Sequence, residues 1–160
     1  MSNTNKVTIA IVDDELTGLR HYVERHGWQI EWYPERLHLV FLGNHPKDNA
    51  PVKILADVNH YRELPPAWSF EKTSNDGRDK PFPISSRGPN RKSSVFHGSH
   101  CICAHFNRLA YSENNGPHSD WGGARNWLQI DRAGQVYATK IAEMFAIILG
   151  HLFASGGMRK

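Results

Sequence analysis

Apolar positions recur along the chain with two different periods. Trp28-Gln29-Ile30-Glu31-Trp32 alternates, so one face of an extended segment is apolar. Leu37-His38-Leu39-Val40-Phe41-Leu42 reads as a second strand ending at Gly43-Asn44, and Val52 to Val58 as a third. Between them, His45 to Pro51 carries two prolines with Asp and Asn and reads as a turn. Parallel strands need crossovers of about a dozen residues or more. There is no room for those here, so the pattern predicts an antiparallel meander.

At both ends the period becomes helical. Leu16, Leu19, Tyr22 and Val23 follow Asp13 and Asp14 and precede Arg25, His26 and Gly27, which predicts a helix over 14–26. The β-branched run Val7 to Val12 before it reads as a strand or an extended lead-in. Ile141, Met144, Phe145, Ile148, Leu152 and Phe153 form one stripe of a C-terminal helix, and Gly156-Gly157 reads as its stop. The expected fold class is α+β: an antiparallel β-meander flanked by an N-terminal helix and a C-terminal helix, in a single domain over 1–160. No internal repeat is visible.

Composition narrows the function classes. The chain has 160 residues, a length that suits one domain. A net charge of +3 from scattered basic residues does not argue direct nucleic-acid binding. Two Cys cannot make a disulfide framework. No apolar run approaches the ~20 residues of a membrane span, and the N-terminus lacks a signal-peptide core. The expectation is a cytoplasmic protein with two free thiols and no membrane association. In residues 71–95, thirteen of 25 are Ser, Thr, Asn, Gly or Pro and nine are charged, which predicts a long surface loop. Residues 112–126 read as a second, Gly-containing loop.

Both thiols lie in Val95-Phe96-His97-Gly98-Ser99-His100-Cys101-Ile102-Cys103-Ala104-His105-Phe106. A thiolate there is a nucleophile, and a neighbouring His can take its proton. If the segment is extended, alternate residues share a face. That groups His97, Cys101, Cys103 and His105, and points His100 away. The same cluster invites zinc. In an extended run, though, residues four apart are ~13 Å apart, so one ion takes two neighbours from it and needs His118 or His60 to complete the site. The plainest alternative is that both Cys are small buried strand residues.

Tyr61-Arg62-Glu63-Leu64-Pro65-Pro66-Ala67-Trp68-Ser69-Phe70 resembles the ubiquitin-conjugating enzyme family, which carries Tyr-Pro-x-x-Pro-Pro-x-Val-x-Phe at this point. Tyr61, Pro65, Pro66 and Phe70 keep the spacing, while Arg62 replaces the first proline and Trp68 the Val. The order of helix, meander, Pro-Pro turn, short strand, long loop, cysteine and C-terminal helix also agrees over about residues 14–153. The resemblance implies that fold and a thioester-carrying nucleophile. Gly98 three residues before and Ile102 after favour Cys101, with Cys103 as the alternative. His97 and His105 are supporting candidates. Gly88-Pro89-Asn90 makes Asn90 a further one, although it lacks the family's His and lies eleven residues from Cys101.

The departures resemble the compact, stand-alone bacterial relatives of CBASS anti-phage operons. That likeness implies an acyltransferase in antiviral defence, whose Cys101 forms a thioester with the C-terminal glycine of a cGAS/DncV-like nucleotidyltransferase. An activating enzyme would be a further partner, and no cofactor is implied. Two alternatives stand beside it: a catalytically inactive binding module of the same fold, and a zinc-binding domain using the His/Cys cluster.

Ile11-Val12-Asp13-Asp14-Glu15 also resembles the opening of receiver domains, with Asp57 and Lys80 imitating later landmarks. Only 23 residues separate those two, against the fifty or so that two βα units need. No nucleotide-binding glycine loop, His-Glu-x-x-His or Gly-x-Ser-x-Gly is present.

Overall fold

In the computed structural model, residues 2–73, 81–84, 88–89, 93–98, 100–129 and 136–159 are described. Asn90 and Lys80 lie outside them.

The N-terminal helix α1 runs over Asn3–Arg25, so Val7 to Val12 is helical and not a strand. The Ser2 hydroxyl accepts the Asn5 N–H at 3.2 Å and caps its start. Thr8, Val12, Leu19 and Val23 form one buried stripe down its length. The β-branched run supplies two of these positions, and the burial they gain outweighs their preference for a strand. The Thr8 hydroxyl donates to the Tyr61 carbonyl at 3.3 Å, which fixes this first half of the helix. The helix ends at His26, and Gly27 turns the chain at φ +78°.

Four strands follow: β1 (Gln29–Tyr33), β2 (His38–Asn44), β3 (Pro51–Asp57) and β4 (Ala67–Glu71). They form one antiparallel sheet in the order β1-β2-β3-β4, as the alternation predicted. Ile30, Phe41 and Ile54 lie in register on its inner face, beside Leu39, Ala56 and Trp68. The C-terminal helix α2 (Ile141–Ala154) lies against that face, with the Phe145 ring stacked on Phe41 at 4.4 Å. Met144, Phe145, Ile148, Leu149 and Leu152 of α2 are buried. Phe153, placed on the same stripe by periodicity, is 40% exposed. Ser155, not the Gly pair, caps the helix; its N–H reaches the carbonyls of His151 and Leu152.

The Pro65-Pro66 turn launches β4. Both prolines are buried, and their carbonyls accept from the Nε and the backbone N–H of Arg108, at 3.0 and 2.9 Å. Tyr61 is buried, and its hydroxyl donates to Glu15 at 2.8 Å, tying the turn to α1. The same carboxylate accepts the Ile141 N–H at the first turn of α2, at 2.8 Å. The 71–95 stretch is not wholly superficial. Its Phe82 is buried and packs edge-on against Phe70 and Phe96. Among the described residues, no helix is long and apolar enough to cross a membrane.

Candidate functional site

The cysteine segment is a tight reversal and not the extended run its alternation suggested. Phe96 bridges Ile102, the Cys103 N–H donates to Val95 O at 2.7 Å, and the His97 N–H to Cys101 O at 3.3 Å. The His100 N–H closes the turn on His97 O at 3.0 Å, with His100 at φ +60°. Gly98, next to the bend, has open space around it. This hairpin brings together side chains that an extended chain would hold well apart.

Two neighbours hold it in place. The Asn107 side chain donates to Ile102 O at 2.8 Å and to Trp68 O at 3.2 Å, and accepts from Trp68 N–H at 2.8 Å. It therefore fastens the cysteine arm to β4. On the other side, the Val95 N–H donates to His151 Nδ1 of α2 at 3.2 Å. Burial holds the His151 pKa below its usual value, so the ring is neutral and can accept.

Cys101 is half-buried and lines a cavity of about 500 Å³ together with Trp68, Ser69, His100, Leu109 and Gly116. As a thiol it donates to Leu109 O at 3.7 Å. Cys103 is buried beside it. A hydrogen bond from the Cys103 thiol holds the Cys101 pKa below its usual value, against the opposing effect of burial. The same bond, then burial and the neighbouring charge, push the Cys103 pKa upward. In this arrangement Cys101 is the more acidic and the more accessible of the two thiols.

The histidines divide differently from the expected face. His105 is buried and stacks on Trp121 at 4.0 Å, outside the donor group around Cys103. His100 is exposed, and its Nε2 lies 3.2 Å from Arg159 Nη1. His97 is exposed, and one of its ring nitrogens, the Cys103 sulfur and a ring nitrogen of His118 all lie within 4.8 Å of one another. The zinc arithmetic for an extended run therefore does not apply: the reversal unites two residues six apart, and His118 joins from a remote loop. His60 is not part of the group.

The 112–126 stretch is more ordered than a polar loop. Short 3-10 turns occupy Ser112–Asn114 and Ala124–Gln129. Between them the His118 N–H donates to Ala110 O at 3.0 Å, and its carbonyl accepts from Ser112 N–H at 3.2 Å. Gly116 passes so close to Ala110 that a Cβ would lie 2.3 Å from its carbonyl carbon. His118 lies flat on Trp121, ring centroids 3.7 Å apart. Asn107 and Arg108 are site residues that the sequence pattern did not single out, and His118, expected only to complete a zinc site, is part of the donor group. For His118 the signal was the density of His, Trp and Asn in an otherwise loop-like stretch.

A larger cavity of about 890 Å³ lies between α1 and the start of α2, lined by Val7, Ile11, Leu19 and Ala142 with Asp14 and Lys140. No thiol lines it. No family model, curated protein or solved structure matches the chain.

Proposed function

We propose that this protein is a ubiquitin-conjugating-like acyl carrier whose Cys101 accepts the C-terminal glycine of a partner protein as a thioester. One observation carries the reading: Cys101 is half-buried and lines a cavity bounded by β4, directly downstream of the Pro65-Pro66 turn. An incoming C-terminal tail needs a groove and a reachable thiol, and both are present. The order of helix, four-stranded meander, Pro-Pro turn, cysteine arm and C-terminal helix supports the same fold assignment.

The thiolate attacks an activated glycine carboxyl; the new C–S bond forms as the activating group departs with its electron pair. Activation comes from a partner enzyme. In the bacterial defence setting that the sequence resembles, the acyl donor is a cGAS/DncV-like nucleotidyltransferase. Holding that enzyme by its tail would regulate its output.

The test is intact mass after co-expression with the operon neighbours, including the nucleotidyltransferase. A covalent adduct that is cleaved by reductant, abolished in Cys101→Ala and retained in Cys103→Ala is the expected result. Absence of an adduct with the native partner, its activating enzyme and ATP would make the protein a binding module of the same fold. An adduct lost only in Cys103→Ala would move the nucleophile.

A further inference from the structure

We propose that His97, Cys103 and His118 form a zinc site with one coordination position open to solvent. The donors are two imidazole nitrogens and one thiolate, a set of borderline softness that suits zinc. They already lie within 4.8 Å of one another. A tetrahedral zinc with bonds of ~2.0–2.3 Å keeps its donors roughly 3.3–3.6 Å apart. Closing that difference asks for a shift of about 1 Å, which the exposed His97 side chain on its turn can supply.

A second observation points to a ligand independently of the clustering. Nε2 of His118 is buried, yet has no hydrogen-bond partner among the described residues. A buried polar atom without a partner is costly, and an ion is one way to satisfy it. The other nitrogen, Nδ1, faces Asp120 Oδ1 at 3.3 Å. With Nδ1–H donating to the carboxylate, the lone pair is on Nε2, the form in which a histidine binds metal. A carboxylate behind a metal-bound histidine also raises its basicity. The Trp121 stack at 3.7 Å and the backbone bonds to Ala110 and Ser112 hold the ring ready.

Three protein donors leave the fourth position for water. His97, the exposed donor, gives water a way to it. On binding, Cys103 loses its thiol proton to solvent and the Zn–S bond forms; no oxidation state changes. The ion ties the cysteine hairpin to the 112–123 loop, whose Gly116 and Pro117 line the Cys101 cavity. Cys101 is not in the donor set, so its substitution separates this site from the acyl-carrier reading.

The experiment is metal analysis of full-length protein carrying no His tag, purified without chelator and then titrated with zinc alone. One zinc per chain is expected in the wild type and in Cys101→Ala. Stoichiometric zinc should be lost in Cys103→Ser and in His97→Ala; the latter alters an exposed side chain and keeps the fold. Asp120→Ala should weaken affinity ~10–100-fold while the donors remain. Cobalt in place of zinc should give tetrahedral ligand-field bands and a thiolate charge-transfer band that Cys103→Ser abolishes. Zinc that survives both Cys103→Ser and His97→Ala, or no binding at micromolar zinc, would each overturn the assignment.

Discussion

The side chain of Asn107 pairs with both backbone groups of Trp68, accepting the N–H at 2.8 Å and donating to the carbonyl at 3.2 Å. One amide thus substitutes for a missing strand at the outer edge of β4, and its second N–H holds Ile102 of the cysteine arm. Asn107→Ala leaves buried backbone groups of Trp68 and Ile102 unpaired. Each such group costs about 1–3 kcal/mol. A loss of about 3 kcal/mol or more is expected from urea denaturation, with faster alkylation of Cys103 as the arm loosens. A loss under about 1 kcal/mol would mean that the arm is held by something else.

Glu15 joins three parts of the fold, receiving the Tyr61 hydroxyl and the Ile141 N–H at 2.8 Å each. Glu15→Ala removes a helix-end acceptor and leaves the Tyr61 hydroxyl its weaker bond to Thr139 O at 3.3 Å. The expected cost is about 1–2 kcal/mol, or a fall of roughly 3–6 °C in Tm for a chain of this size. Thermal melts followed by circular dichroism measure it, and an unchanged Tm would count against the link.

Two glycines should respond in opposite directions to the same change. A Cβ on Gly43 would lie 2.2 Å from the Trp28 ring, whereas Gly18 in α1 has nothing within 4 Å. Gly43→Ala should destabilise by about 1–3 kcal/mol and shift the tryptophan emission, because Trp28 must move. Gly18→Ala should stabilise by about 0.5–1 kcal/mol, the ordinary helix gain. Equal effects at the two positions would contradict this packing.

Acid should weaken the fold through His45 and His151. Both rings are buried, and burial lowers both pKa values, more than offsetting the pull of Asp48 in the case of His45. His45 Nδ1 accepts the Lys47 N–H at 3.1 Å, so its Nε2–H donates to Ser155 Oγ at 2.7 Å. The unfolded rings titrate near ~6.5. Below that pH the unfolded chain binds more protons, so stability present above it declines as pH falls towards the folded values. Urea midpoints at pH 7.5, 6.5 and 5.5 should fall in that order. NMR titration should show two imidazoles that protonate at lower pH than a free imidazole. Protonating His151 also removes the acceptor of Val95, so the cysteine hairpin should loosen in step.

Much of the architecture was legible from local pattern. Strands β1 to β3 follow from period-two alternation with short turns between, and α2 from a stripe at helical spacing. A sheet half-covered by a helix demands those periods, so sequence and structure agree there. The first half of α1 was not legible. Val7 to Val12 has the local preference of a strand, and burial of Thr8 and Val12, with the Thr8 bond to Tyr61, selects the helix.

Fold class, meander order and the presence of two thiols among histidines follow from local pattern alone. Tertiary structure decided how those thiols differ. The arm places Cys101 at the wall of a cavity, while Cys103, paired with Val95 across the hairpin, is buried. It also decided which histidines matter: His118, remote in the chain, reaches Cys103, while the nearer His105 turns to Trp121. Such choices depend on contacts between segments, which no local periodicity encodes.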